Sequence, residues 1–148
     1  MNRDFSDLLS AFCAERVEFL VVGAHALAAH GHVRATKDLD VWVRADRANA
    51  QRVLKALATF GAPLHDLTLA DLEGPGLVFQ IGVDPVRIDV LTSIDGVSFE
   101  EAWPDRVTAK FGALEVPVIS RAHLITNKRT TARLQDLADV ERLEGESS

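Results

Sequence analysis

Cysteine is nearly absent: Cys13 is the one cysteine in 148 residues. A single thiol rules out an internal disulfide and any cysteine-rich zinc site. Cys13 is expected to pack as a small apolar residue on a first helix. Also missing is any apolar run approaching the roughly 20 residues that a membrane helix needs. The opening Met1-Asn2-Arg3-Asp4-Phe5 lacks the apolar stretch of a signal peptide, so a soluble, cytoplasmic protein is expected. Basic residues are outnumbered, 16 Lys and Arg against 22 Asp and Glu, for a net charge of -6. This argues against broad, charge-driven binding to nucleic acid, which depends on neutralising many phosphates. Repeats, low-complexity tracts and linkers are lacking too, which points to one domain over residues 1–144 and a disordered tail at 145–148.

At 47% hydrophobic, the chain can bury roughly 70% of its unfolded surface in a single core. Phe5, Leu8, Leu9 and Phe12 recur at helical spacing over residues 5–14. Residues 18–22 then read as a short buried strand, followed by a tight turn at Gly23 into an alanine-rich helix over 24–29 that Gly31 ends. Over 38–43 the pattern alternates, with Leu39, Val41 and Val43 on one face and Asp38, Asp40 and Trp42 on the other. Asp46 is a plausible N-cap for a helix reaching Phe60 and closed by Gly61.

Residues 62–76 read as loop. The strands 77–83 and 86–92 form an antiparallel hairpin about Asp84-Pro85, with Arg87, Asp89 and Leu91 sharing a face. A helical turn at 99–103 precedes a second hairpin, 107–111 with 114–119, around Gly112. Helices over 120–130 and 133–144 close the domain, the second with an apolar series at Leu134, Leu137, Val140 and Leu143. The fold class is α+β, with a mixed, mainly antiparallel sheet, helices packed on one face and a candidate metal site on the other.

Strand periodicity projects Asp38 and Asp40 from one face, about 6 to 7 Å apart along the backbone. If the strand bearing Asp89 pairs beside them, three carboxylates converge. Such a cluster must take up protons or bind a cation, and hard carboxylate oxygens favour Mg²⁺ or Mn²⁺. Asp-x-Asp alone is weak, because it is common in solvated strand edges. More specific is its combination with Gly23 at a helix N-terminus, which offers free backbone N-H groups to a phosphate.

The run Val22-Gly23-Ala24-His25-Ala26-Leu27-Ala28-Ala29-His30-Gly31, followed by Arg34-Ala35-Thr36-Lys37-Asp38-Leu39-Asp40, resembles the active-site signature of small bacterial nucleotidyltransferases in the DNA polymerase β-like superfamily. Within it, the chain is most similar to the group that includes nucleotidyltransferase-type toxins of toxin/antitoxin pairs. Leu124-Ile125-Thr126-Asn127-Lys128-Arg129 and Arg133-Leu134-Gln135-Asp136-Leu137-Ala138-Asp139 resemble that group's closing segment. The resemblance implies that Asp38 and Asp40 coordinate two Mg²⁺ ions, and that Asp89 holds the second ion and helps to deprotonate an acceptor hydroxyl. It implies further that Gly23, Ala24, Arg34, Lys37 and Lys128 bind the nucleoside triphosphate, ATP among the candidates. A nucleoside monophosphate would pass to RNA such as tRNA, to a protein or to a small molecule, and an antitoxin is an implied partner. Ala24 stands where the superfamily usually has Ser or Gly, which removes a phosphate-binding hydroxyl and leaves an inactive nucleotide- or partner-binding module as the alternative.

Other residues carry two readings each. His25, His30 and His32 lack the spacing and cysteines of a zinc site; His25 or His30 either approaches the nucleotide or lines the short helix. Trp42 either stacks on a base or belongs to the core. Arg121, Lys128, Arg129 and Arg133 lie in a stretch without acids, over 116–135, which reads as a phosphate-binding surface or as a solvated basic helix face. Asp136 and Asp139 fall on the polar side of the last helix, where pairing with Arg133 or Arg142 explains them.

Overall fold

The computed structural model describes residues 2–33, 37–82 and 86–145. Six strands, β1 (Phe19–Val22), β2 (Asp38–Val43), β3 (Val78–Ile81), β4 (Arg87–Leu91), β5 (Val107–Phe111) and β6 (Leu114–Val118), form one sheet in the order β3-β4-β2-β1-β6-β5. β1 with β2, β3 with β4 and β5 with β6 are antiparallel, whereas β1 with β6 and β2 with β4 are parallel. The sheet is thus mixed and mainly antiparallel, as expected. Its helices are α1 (Arg3–Ala14), α2 (Gly23–Ala29), α3 (Arg47–Phe60), α4 (Leu69–Glu73), α5 (Phe99–Ala102), α6 (Arg121–Thr131) and α7 (Leu134–Gly145), with a 3-10 turn over Trp103–Asp105. None of them is long and apolar enough to cross a membrane.

Local chemistry accounts for most of these boundaries. Asn2 caps α1 by accepting from the Asp4 N-H at 2.8 Å, and the helix buries Phe5, Leu8, Leu9 and Phe12. Asp46 caps α3 through the Asn49 N-H at 2.7 Å, and Gly61 ends it at a left-handed φ of 93°. The buried Asn49 then ties α3 to the sheet: its amide accepts from the Glu18 N-H at 2.8 Å and donates to the carbonyls of Glu18 and Arg44. Four hydrogen-bonding valences of a buried amide are costly to leave unmet, so this contact sets where α3 begins relative to β1 and β2.

Several expectations are corrected. Residues 62–76 contain α4, capped by Thr68 and Asp71 in a reciprocal capping box that Thr-x-x-Asp already spelled out. Cys13 lies on α1 but is exposed. In α7 the apolar series splits: Val140 and Leu143 are buried, but Leu134 and Leu137 face solvent. The helix buries Asp136 and Asp139 in their place. Gly145 ends α7 rather than starting a tail. The Asp84-Pro85 turn and residues 146–148 lie outside the described residues.

Candidate active site

The site follows from strand register. β1 and β2 pair Val22 with Asp40, which sets Gly23, the next residue, beside that carboxylate. β2 and β4 pair Asp40 with Asp89 and Asp38 with Arg87. Paired residues on neighbouring strands are about 5 Å apart and project to the same face, so Asp38, Asp40 and Asp89 come together because β4 does pair beside β2.

Gly23 is required where it stands. Its φ is +70°, and a Cβ there would collide with a carboxylate oxygen of Asp40. Gly23→Ala is therefore expected to lose about 1–2 kcal/mol through left-handed strain alone, and to displace Asp40. Stability to urea and activity should fall together; a loss no larger than that strain, with activity kept, would show that Asp40 moves aside freely.

The electrostatics are those of crowded acids. Burial, then the charges of Asp89 and Asp38, push the Asp40 carboxyl up from 3.8 to about 6, and a hydrogen bond with Asp89 acts in the same direction. Arg87 opposes this. Its Nε donates to Asp89 Oδ1 at 2.9 Å, and its Nη2 lies 3.3 Å from both Asp89 Oδ2 and Asp38 Oδ2. The donor set suits a divalent cation in kind: three hard carboxylates carry more negative charge than one guanidinium cancels. Among the described residues, no group of three or more acidic, histidine or cysteine side chains already stands in metal-ligand geometry, and Arg87 holds two of the three carboxylates.

A cavity of about 240 Å³ opens beside these acids, with Gly23, Asp40, Ser93, Asn127, Lys128 and Arg133 among the residues around it. Lys128 thus shares a cavity with Gly23 and Asp40, but its amine is buried and committed. It lies 2.8 Å from Asp139 and 3.6 Å from Asp136. Burial raises the Asp136 carboxyl, but the hydrogen bond and charge of Arg133, with Lys128, outweigh it and hold the group below its ordinary value. Asp136 and Asp139 are therefore buried counter-ions rather than members of a polar face; Arg133 does pair with Asp136, as one reading had it. Ala24 is half-buried and Lys37 is exposed beside Asp38. Arg34 lies outside the described residues.

The basic stretch proves to be neither a free phosphate surface nor a merely solvated face. Arg121 donates to the Leu143 carbonyl, Lys128 pairs with Asp139, Arg129 with Glu144 and Arg133 with Asp136. Apart from the short Arg133–Asp136 link, these contacts join α6 to α7. Their partners begin at residue 136, just past the stretch, so counting charges within it missed them.

Trp42 is core, 1% exposed and edge-on to Phe99 at 5.1 Å. His30 Nε2 is 2.8 Å from the Ile119 carbonyl oxygen, and His25 packs between Phe5 and Phe111, with burial lowering its pKa. A larger cavity of about 480 Å³ between α2 and β5 borders His25 but no carboxylate. Arg87 and Asn127, which border the acids and the cavity, were not candidates in the sequence reading, whereas Arg133 entered it only as part of the basic stretch. Arg87 had a signal, its place two residues before Asp89 on the same strand face.

No protein-family model and no curated protein sequence matches the chain. Its fold is nonetheless that of nucleotidyltransferases. The lincomycin-bound lincosamide antibiotic adenylyltransferase LnuA superposes with a TM-score of 0.63 at 15% identity, over 97% of this chain and 96% of that one. ANT(2")-Ia in complex with adenylyl-2"-tobramycin gives 0.67 at 14% identity, over 97% and 87%. A candidate nucleotidyltransferase of Thermotoga maritima gives 0.63 at 11% identity, over 97% and 92%.

Proposed function

We propose that this protein is a divalent-metal-dependent nucleotidyltransferase that moves a nucleoside monophosphate from a nucleoside triphosphate to a hydroxyl group. The observation that carries the reading is the register of β2 and β4, which sets Asp89 opposite Asp40 at the end of β1, where Gly23 turns the chain into α2. The fold shared with adenylyltransferases supports it.

Asp38, Asp40 and Asp89 would hold Mg²⁺ or Mn²⁺, which supplies Lewis-acid stabilisation of charge on the phosphate oxygens. The chain's own residues do the rest. Gly23, lacking a Cβ, leaves room at Asp40, and the backbone N-H groups of Gly23 and Ala24, with Lys37 and Arg34, neutralise the triphosphate. The acceptor oxygen attacks the α-phosphorus, its proton passes to an Asp89 carboxylate oxygen, and the bond to the departing pyrophosphate breaks. Such transfers depend on positioning and electrostatics more than on covalent chemistry. Lys128 supports this indirectly, through the buried pairs that fix α6 against α7.

A small hydroxylated acceptor is favoured over RNA, because the cations of residues 121–133 are engaged with α7 and the net charge is -6. The neighbours named for lincosamide and tobramycin adenylylation point the same way. The test is incubation of the wild type and Asp38→Asn with each α-labelled triphosphate and Mg²⁺, against a panel of hydroxylated antibiotics, tRNA and cell extract. Label should reach a small molecule with the wild type alone. Absence of both label transfer and Mg²⁺-dependent triphosphate binding would sink the proposal; binding without transfer would identify the inactive module.

A further inference from the structure

We propose that Arg87 is a built-in counter-ion that competes with the divalent cation for Asp38 and Asp89, so that metal enters the site efficiently only together with a triphosphate able to take over the guanidinium. This rests on the reading of Asp38, Asp40 and Asp89 as metal ligands.

Four observations carry it. The guanidinium engages both oxygens of Asp89 and one of Asp38. A metal ligated by those carboxylates needs the same lone pairs, and a cation held among them repels a second one. The Arg87 backbone is pinned, since its N-H donates to the Lys37 carbonyl and its Cα pairs with Asp38. The side chain is 29% exposed, so rotation about its stem can free the carboxylates without disturbing the sheet. Beside the site, the cavity bordered by Gly23 and Asp40 adjoins the Gly23 turn at which the proposed function sets the triphosphate. A phosphate there offers the planar, bidentate partner that a guanidinium prefers. Metal alone must therefore strip Arg87 of its partners, whereas metal with triphosphate replaces them.

The experiment is titration of Mn²⁺ into the full chain, reading free Mn²⁺ by electron paramagnetic resonance, for the wild type, Arg87→Met and Arg87→Lys. Arg87→Met is expected to bind Mn²⁺ alone about tenfold tighter than the wild type, since one opposing charge at contact distance is removed. Its stability in EDTA should fall below wild type and recover as Mn²⁺ is added. Arg87→Lys should fall between, because an ammonium cannot fork across two carboxylates; it also decides the matter if Arg87→Met does not fold. Adding a non-hydrolysable ATP analogue should tighten Mn²⁺ binding more in the wild type than in Arg87→Met. If the wild type binds Mn²⁺ and both variants bind it no more tightly, the competition is overturned while the metal reading stands. If none of the three binds Mn²⁺, both are overturned.

Discussion

Asp40→Asn is expected to abolish nucleotide transfer while making the protein more stable at pH 8. In the folded chain the Asp40 carboxyl is pushed up to about 6, mainly by burial and then by Asp89 and Asp38. A carboxyl whose pKa is raised on folding binds its proton better in the native state, so its contribution is best at low pH. That contribution declines as pH rises from about 4 to about 6, and above this range the ionised group destabilises the fold by about 1–3 kcal/mol. Asparagine keeps the shape and the hydrogen bonding without the charge. The stability gap between variant and wild type should therefore be small near pH 4.5, widen up to about pH 6 and then level off. Urea denaturation in EDTA at pH 4.5, 6 and 8 measures it. Activity should drop on the order of 10²-fold or more. A variant less stable than wild type at pH 8 would mean that Asp40 is not under electrostatic load, and the case for a cation site would lose its main physical support.

The second large effect is expected at Lys128. Its side chain is 6% exposed, and the side chains of Asp136 and Asp139 on either side of its amine are 4% and 0% exposed. Truncating one partner of a buried ion pair leaves the other charge without compensation and costs roughly 3–5 kcal/mol. Lys128→Met should lower the urea midpoint accordingly, and Asp139→Asn should lower it in the same way. Lys128→Met combined with Asp139→Leu should recover part of the loss, because a removed pair is far less harmful than a broken one. Arg129 provides the control. It pairs with Glu144 at the surface, with side chains 54% and 48% exposed, so Arg129→Ala should cost less than about 1 kcal/mol. If Lys128→Met also fell within that range, the amine would be solvated rather than buried, and its place in the cavity beside Asp40 would gain weight as a direct phosphate contact.

Much of the site was legible because its signals are local. Alternation set Asp38 and Asp40 on one strand face and Arg87 with Asp89 on another. Gly23 marked the turn, Asp46 and Gly61 bounded α3, and the capping boxes at Thr68 and Ser98 repeat the same short-range chemistry. The reading of 62–76 as loop failed only because Pro63 and the Gly74-Pro75-Gly76 turn outweighed a cap lying between them. The last helix failed differently. Leu134 and Leu137 satisfied helical periodicity with Val140 and Leu143, but the buried face of α7 is rotated to present Asp136 and Asp139 to Lys128. A hydrophobic pattern cannot register a face whose burial is compensated by an ion pair from a preceding helix.

The sequence alone determined the strands, most of the caps and the identity of the three acids, since each depends on residues no more than a few positions apart. Tertiary structure decided that Asp89 stands opposite Asp40, that Arg87 reaches both Asp38 and Asp89, and that Lys128 is buried against α7. Those relations depend on the register of parallel strands and on the rotation of packed helices. Both are set by summed burial across the whole core, to which no short stretch of chain holds the key.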